Sequence, residues 1–228
     1  AKFGDELELL GYDLPPGSTA PGEAIELTLY WKALRQTAVD YSASLQLVDG
    51  QGRLWGQEDH WHIAGFPTSD WSVDEYRPDA YRLAVPPGTP PGDYRLRVGV
   101  YGQATGQALQ VLEGAPAGTS VALGTAAIVR PWQPPGVAAL GMQQTVATAL
   151  NDDLELLGYS IAPGQAGPGR RVHLDLFWRA RSSPQADYQV ETRLAGEAGY
   201  SARQTWPLVQ GYPTMAWQAG EVIHGQYD

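Results

Sequence analysis

Two short segments share the pattern Gly-aromatic-Pro-Thr-x-x-Trp, and they carry the strongest local signal in the sequence. They are GFPTSDW at Gly65–Trp71 and GYPTMAW at Gly211–Trp217. An indole packs well on the C–H face of a sugar ring, which makes Trp71 and Trp217 candidate ligand-binding residues. In the structural alternative each Trp folds inward to close one end of a domain, Pro fixes the loop and Thr satisfies backbone donors. The pattern favours this alternative, because a structural element needs repetition as much as a binding site does.

A second aromatic cluster, LWGQEDHWH, occupies Leu54–His62. If this segment is a strand, Trp55 and Trp61 lie on one face of it, since side chains alternate along a strand. They are therefore further candidates for contact with a glycan.

The same cluster carries two histidines that suggest a metal site. His60 and His62 would share a strand face, with Asp59 next to them. The matching part of the second repeat keeps Gln204 and Trp206 but neither histidine, and further ligands cannot be placed. Exposed strand residues are the favoured interpretation, and we expect no metal.

The sequence offers little for catalysis. There is no Gly-x-Ser-x-Gly elbow, no Gly-Lys-Ser/Thr or Gly-x-Gly-x-x-Gly loop, and no cysteine. The carboxylate pairs Asp74/Glu75 and Asp152/Asp153 lie in turn-like segments and are interpreted as solvated. We therefore expect no enzyme activity and no cofactor.

An internal repeat organises the chain. Residues 6–33 align without a gap to residues 153–180, with fourteen of 28 positions identical. The alignment continues through the two Trp motifs and ends with Tyr81 on Tyr227. The first copy runs on for about fifty residues, whereas the second stops one residue later. The repeat predicts a first module at 1–132, a linker at 133–150 and a second, incomplete module at 151–228.

Period-2 alternation predicts the secondary structure. Ile25, Leu27, Leu29 and Trp31 share one strand face, as do Val172, Leu174, Leu176 and Trp178 in the second copy. The residues expected to be buried in the first copy are these four together with Leu7, Leu9, Leu45, Leu47, Leu96, Val98 and Val100. Pro-Gly turns separate about eight short strands in the first 130 residues, a pattern typical of a two-sheet antiparallel β-sandwich. The fold class is therefore all-β, in tandem modules. The first half of the linker is proline-rich, and its second half could pair as a strand.

Bulk properties exclude several partners. The formal charge of −10 disfavours nucleic acid and anionic lipid, both of which need basic patches. No run of 18 apolar residues predicts insertion into a membrane. The chain begins with Ala1 and lacks a signal-peptide pattern, which indicates a piece of a longer protein. Open strand edges in the incomplete second module predict a homodimer.

Three phrases together resemble a known family: LELLGYDLPPGSTAPGEAIELTLYWKA, GFPTSDW and PPGTPPGDYRLRVGVYGQATGQAL. They are similar to immunoglobulin-like β-sandwich repeats of bacterial proteins, often found after the membrane part of dolichyl-phosphate-mannose mannosyltransferase-type glycosyltransferases. The resemblance implies an extracytoplasmic module, at the cell surface or tethered to a membrane enzyme outside this chain. It supplies no catalytic residues.

Two functions remain open on the sequence. The leading hypothesis is an extracytoplasmic accessory or spacer module that positions an attached enzyme. The alternative is a carbohydrate-binding module that uses exposed tryptophans, with glycan as its partner. A hydrolase fragment is disfavoured by the missing motifs.

Overall fold

A computed structural model describes residues 1–164, 170–195 and 201–228 of the chain. Repeat positions 165–169 lie outside the described residues. The chain divides into two compact units. Unit 1 comprises Ala1–Pro86 and Asp93–Val129, and unit 2 comprises Pro87–Gly92 and Arg130–Asp228.

Unit 1 is a sandwich of two five-stranded sheets. One has the order β7-β4-β2-β1-β9 and the other the order β3-β10-β8-β5-β6. The main neighbours, such as β2 with β4 and β5 with β8, pair antiparallel. The strands are β1 (Lys2–Phe3), β2 (Leu7–Asp13), β3 (Ser18–Thr19), β4 (Ala24–Ala33), β5 (Tyr41–Val48), β6 (Leu54–His60), β7 (Tyr76–Ala84), β8 (Gly92–Gly102), β9 (Val111–Glu113) and β10 (Ser120–Ile128).

The core of unit 1 lies between these sheets, and the alternation of the sequence places it correctly. Each residue predicted to face inward is at most 4% exposed. These residues are Leu7, Leu9, Ile25, Leu27, Leu29, Trp31, Leu45, Leu47, Leu96, Val98 and Val100. The face assignment is confirmed, because a shift of one residue would have exposed the whole set.

Unit 2 repeats part of this plan with a four-stranded sheet, β11-β12-β13-β16, and a two-stranded sheet, β14-β15. Tyr227 stands opposite Leu174 as Tyr81 stands opposite Leu27, so the register agrees with the sequence repeat. The strands are β11 (Gln144–Ala149), β12 (Leu154–Ala162), β13 (His173–Ala180), β14 (Gln189–Ala195), β15 (Ser201–Pro207) and β16 (Val222–Tyr227).

The linker is part of the unit 2 fold. Its second half forms β11, which pairs antiparallel with β12, as the sequence predicts. The preceding 3₁₀ turn, Val137–Leu140, brings Leu140 against Leu157 and Phe177. The four-stranded sheet of unit 2 therefore has apolar clusters on both faces.

Candidate functional site

The first Trp motif is a structural plug in unit 1. A 3₁₀ turn at Thr68–Asp70 brings the Trp71 indole inward, where it is 0% exposed. The Thr68 hydroxyl accepts the backbone N–H of Tyr41 at 2.9 Å and lies 3.2 Å from the Val39 carbonyl oxygen, to which it donates. The turn is thereby fastened to the start of β5.

The second motif makes the same contacts in unit 2. The Thr214 hydroxyl accepts the N–H of Tyr188 at 2.8 Å and donates to the Ala186 carbonyl at 2.8 Å. Trp217 is 2% exposed, and its indole N–H donates to the Tyr212 carbonyl at 3.3 Å. A buried indole offers no face to a sugar ring, so Trp71 and Trp217 are not candidates for ligand binding. Both instead fold inward, as in the structural alternative.

An aspartate reinforces each plug. Asp40 accepts the N–H of Ser69 at 3.0 Å, and Asp187 accepts the N–H of Met215 at 3.0 Å. The backbone hydrogen bond from Ser69 holds the pKa of Asp40 below its ordinary value. Asp40 and Tyr41 thus hold the Thr68 turn by hydrogen bonds, as Asp187 and Tyr188 hold the Thr214 turn.

Trp55 is also a core residue. It is 7% exposed, its indole N–H lies 3.2 Å from Asp49 Oδ2, and its ring meets Tyr94 edge-on at 5.9 Å. Burial, and to a lesser degree Asp49, raises the pKa of Tyr94. The expectation that Trp55 and Trp61 share one surface is wrong, because β6 ends at His60 and Trp61 lies beyond it.

Trp61 is the one residue of the four candidates that solvent reaches freely, at 58% exposure. It borders a shallow depression of about 550 Å³ that is also lined by Asp59, His62 and Pro78. A flat indole beside polar side chains is the arrangement that a sugar-stacking surface needs. This depression is the candidate binding site of unit 1.

His60 lies at the edge of this depression and is held by a buried acid. Its Nδ1 is 2.7 Å from Asp79 Oδ1, and its ring stacks on Tyr81 with centroids 3.9 Å apart. Asp79 is 3% exposed. Burial first, and then the nearby Asp79, raises the pKa of Tyr81 well above its ordinary value. The expectation of an exposed strand residue is therefore wrong for His60.

The two histidines of the cluster do not converge. His62 Nδ1 lies 3.2 Å from the Gln103 side-chain nitrogen, whereas His60 faces Asp79. A histidine oriented by an aspartate is one part of a nucleophilic triad. Within the described residues no serine or threonine hydroxyl is hydrogen-bonded to His60, whose contacts are with Asp79 and Tyr81.

A second histidine cluster, on the outer face of the unit 2 sheet, was not singled out from the sequence. Asp175 Oδ1 lies 3.1 Å from His173 Nε2 and 2.7 Å from His224 Nε2. The hydrogen bond that the His173 ring donates to Asp175 raises the pKa of His173 to about 9. Burial acts to raise the pKa of Asp175, but both histidines hold it well below its ordinary value. Alternation put His173 and Asp175 on one face, but only the pairing of β13 with β16 brings in His224.

The described part of the chain contains neither a membrane-crossing helix nor a metal-ligand cluster. None of the helices there is long and apolar enough to cross a membrane. No group of three or more histidine, aspartate or glutamate side chains there is placed to hold a metal ion. No protein-family model matches this sequence, and no curated protein matches it.

Proposed function

We propose that this chain is a non-catalytic accessory or spacer module of a larger protein. The observation that carries the proposal is the pair of equivalent plugs around Trp71 and Trp217. In both units the most distinctive side chains of the sequence stabilise the fold, with Thr68 and Thr214 clamping the turns. An element repeated for structural reasons is what a spacer built from tandem modules requires.

The resemblance to immunoglobulin-like repeats supports a more specific form of the proposal. In that form the module lies outside the cytoplasm and positions a membrane glycosyltransferase to which it is attached. The acidic composition, with a formal charge of −10, agrees with a surface that avoids anionic lipid headgroups.

Domain replacement in the parent protein tests the spacer role. Residues 1–228 would be exchanged for an unrelated tandem β-sandwich of similar length, and the activity of the attached part would be measured. We expect the activity to be retained, because a spacer contributes distance and orientation only. Loss of activity, with normal folding and export of the chimera, would contradict the proposal.

Trp61 favours a second function, the binding of a carbohydrate at the depression of unit 1. Binding of the chain to a glycan array would be compared with that of Trp61→Ala. Trp132→Ala is the matched control, because Trp132 is 97% exposed and does not line the depression. Retention on a glycan that only Trp61→Ala abolishes would support this function, and no retention by the native chain would reject it.

A further inference from the structure

The outer face of the second sheet of unit 1 carries a further depression, of about 510 Å³. Ser44 of β5 and Gly99 of β8 line it and stand directly opposite each other. Their neighbours Leu45 and Val98 are 0% exposed in the core, so alternation turns Ser44 and Gly99 outward. Because one has a short side chain and the other has none, they form a recessed floor. We call this site the Arg97 depression.

A continuous chain of hydrogen bonds crosses three strands along this depression. Arg97 Nε of β8 donates to Gln46 Oε1 of β5 at 2.8 Å. The Gln46 amide donates to Gln57 Oε1 at 3.1 Å, and the Gln57 amide donates to Asp59 Oδ2 at 2.7 Å. All four residues line the depression. The chain thereby holds a guanidinium at one end and a carboxylate at the other.

Both ends of this chain keep unused capacity for hydrogen bonds. Within the described residues Arg97 forms no ion pair and donates only through Nε, so its two terminal nitrogens lack a protein acceptor. There Asp59 accepts only at Oδ2, which leaves Oδ1 available. A guanidinium can only donate and a carboxylate can only accept. A ligand must therefore offer an acceptor to Arg97 and a donor to Asp59.

The charges and spacing of these groups indicate the class of ligand. Arg97 and Asp59 are the only charged residues of the lining, and their charges cancel, which favours a neutral molecule. They lie on β8 and β6, two strand spacings or roughly 10 Å apart. The carboxylate and ammonium of an α-amino acid share one carbon and are too close together for this. Hydroxyls distributed around a sugar ring both donate and accept, and they match both ends.

Unit 2 shows that an outer face of this kind folds without a recess. Through the repeat, Ser44 and Gln46 correspond to Glu191 and Arg193, both long, charged and exposed. Glu191 lies 3.4 Å from Arg203 on the neighbouring strand. A short side chain at position 44 is therefore not a requirement of the repeated fold. The recess is particular to unit 1, which favours a role in binding.

The Arg97 depression adjoins the Trp61 site. Asp59 lines both depressions. Ser42, the next outward residue after Ser44 on β5, donates to the Trp61 carbonyl at 2.8 Å and stands opposite Tyr101. Tyr101 also lines the Arg97 depression and brings an aromatic ring to it. A saccharide of more than one ring can thus contact both places.

We propose that the Arg97 depression binds one ring of a neutral oligosaccharide, with sugar hydroxyls bridging Arg97 and Asp59 and an adjacent ring stacked on Trp61. The inference goes beyond the spacer function. It deepens the carbohydrate-binding function and rests on it for the class of ligand.

The test uses the full chain on an array of neutral gluco-, galacto- and manno-oligosaccharides and their uronate-containing counterparts. We expect a neutral glycan to be retained, and its Kd is then measured by calorimetry. Arg97→Gln and Asp59→Asn should each raise the Kd at least about tenfold, because each removes a charged hydrogen-bond partner. Arg95→Gln and Asp93→Asn make the same charge changes on β8 outside the depression and should leave the Kd unchanged. Thermal unfolding checks that every variant folds.

Further outcomes separate this inference from the function assigned to Trp61. Retention that Trp61→Ala abolishes and that Arg97→Gln and Asp59→Asn leave unchanged would overturn the inference and keep the Trp61 site. Retention of uronate-containing glycans alone would overturn the neutral class, and retention of no glycan would overturn both proposals. In NMR titration with the retained glycan, the amide resonances of Ser44 and Gly99 should shift. Binding that leaves both resonances in place would also contradict the inference.

Discussion

The two units are built on the same sequence repeat and differ in what covers their sheets. Leu10 of unit 1 is 49% exposed, whereas its equivalent in unit 2, Leu157, is 1% exposed beneath the linker. The reverse holds on the inner side, where Leu47 is 0% and Leu194 50% exposed. Positions whose partners lie inside the repeat, such as Trp31 and Trp178, are buried in both units. Burial at the other positions depends on segments outside it.

The largest losses of stability are expected from the buried Trp that the two units carry in equivalent strands, β4 and β13. Trp31 is 0% and Trp178 3% exposed. Trp31→Ala should lower the free energy of unfolding of unit 1 by about 3–5 kcal/mol, and Trp178→Ala should have a comparable effect on unit 2. Chemical denaturation of each variant checks this. An unchanged denaturation midpoint for Trp31→Ala would contradict the core assignment.

The hydrogen bonds of the two Thr turns should contribute less to the free energy of unfolding, and by similar amounts in the two units. Thr68→Val and Thr214→Val each leave a backbone N–H of a buried or half-buried strand start without its acceptor, which should lower stability by about 1–3 kcal/mol. Thr125→Val is the control, since Thr125 is exposed. A large loss in one unit and none in the other would show that the two plugs are not equivalent.

The two units differ in the space around the glycine at the strand irregularity, Gly11 in β2 and Gly158 in β12. A Cβ on Gly158 would overlap the Gln144 carbonyl oxygen of β11, whereas a Cβ on Gly11 meets nothing within 4 Å. Gly158→Ala should therefore displace β11 and lower stability by about 1–3 kcal/mol, and Gly11→Ala should be nearly neutral. Thermal unfolding of the two variants measures the difference. Equal effects would mean that β11 does not pack on Gly158.

The smallest effect is a pH dependence confined to unit 2. The folded pKa of His173, about 9, lies above the ordinary value of 6.5, so its stabilising contribution is complete below about pH 6.5 and is lost as the pH rises through about 9. His173→Gln should remove this slope. Unit 1 has Glu26 at the equivalent position and should not show it. Titration of the His173 ring by NMR near pH 6.5 would contradict the pairing with Asp175.

The sequence predicted the features that depend on local periodicity and on the repeat. These include the β-class, the inward faces of β4 and β8, the pairing of the linker strand and the equivalence of the Trp motifs. It failed where burial depends on partners distant in sequence. His60 is half-buried against Asp79 and Tyr81, which lie on a strand that follows the Trp motif. Trp55 packs edge-on against Tyr94, which lies on β8, two strands away in the same sheet and about forty residues later in the sequence.

Amide hydrogen exchange along β5 and β14 tests the difference between the units most directly. β5 is paired on both edges, by β6 and β8, so all of its amides should be protected. Among the described residues β14 is paired by β15 alone, so its alternate amides should exchange at least about tenfold faster than their equivalents in β5. Uniform protection along β14 in the free protein, equal to that of β5, would contradict an open edge in unit 2.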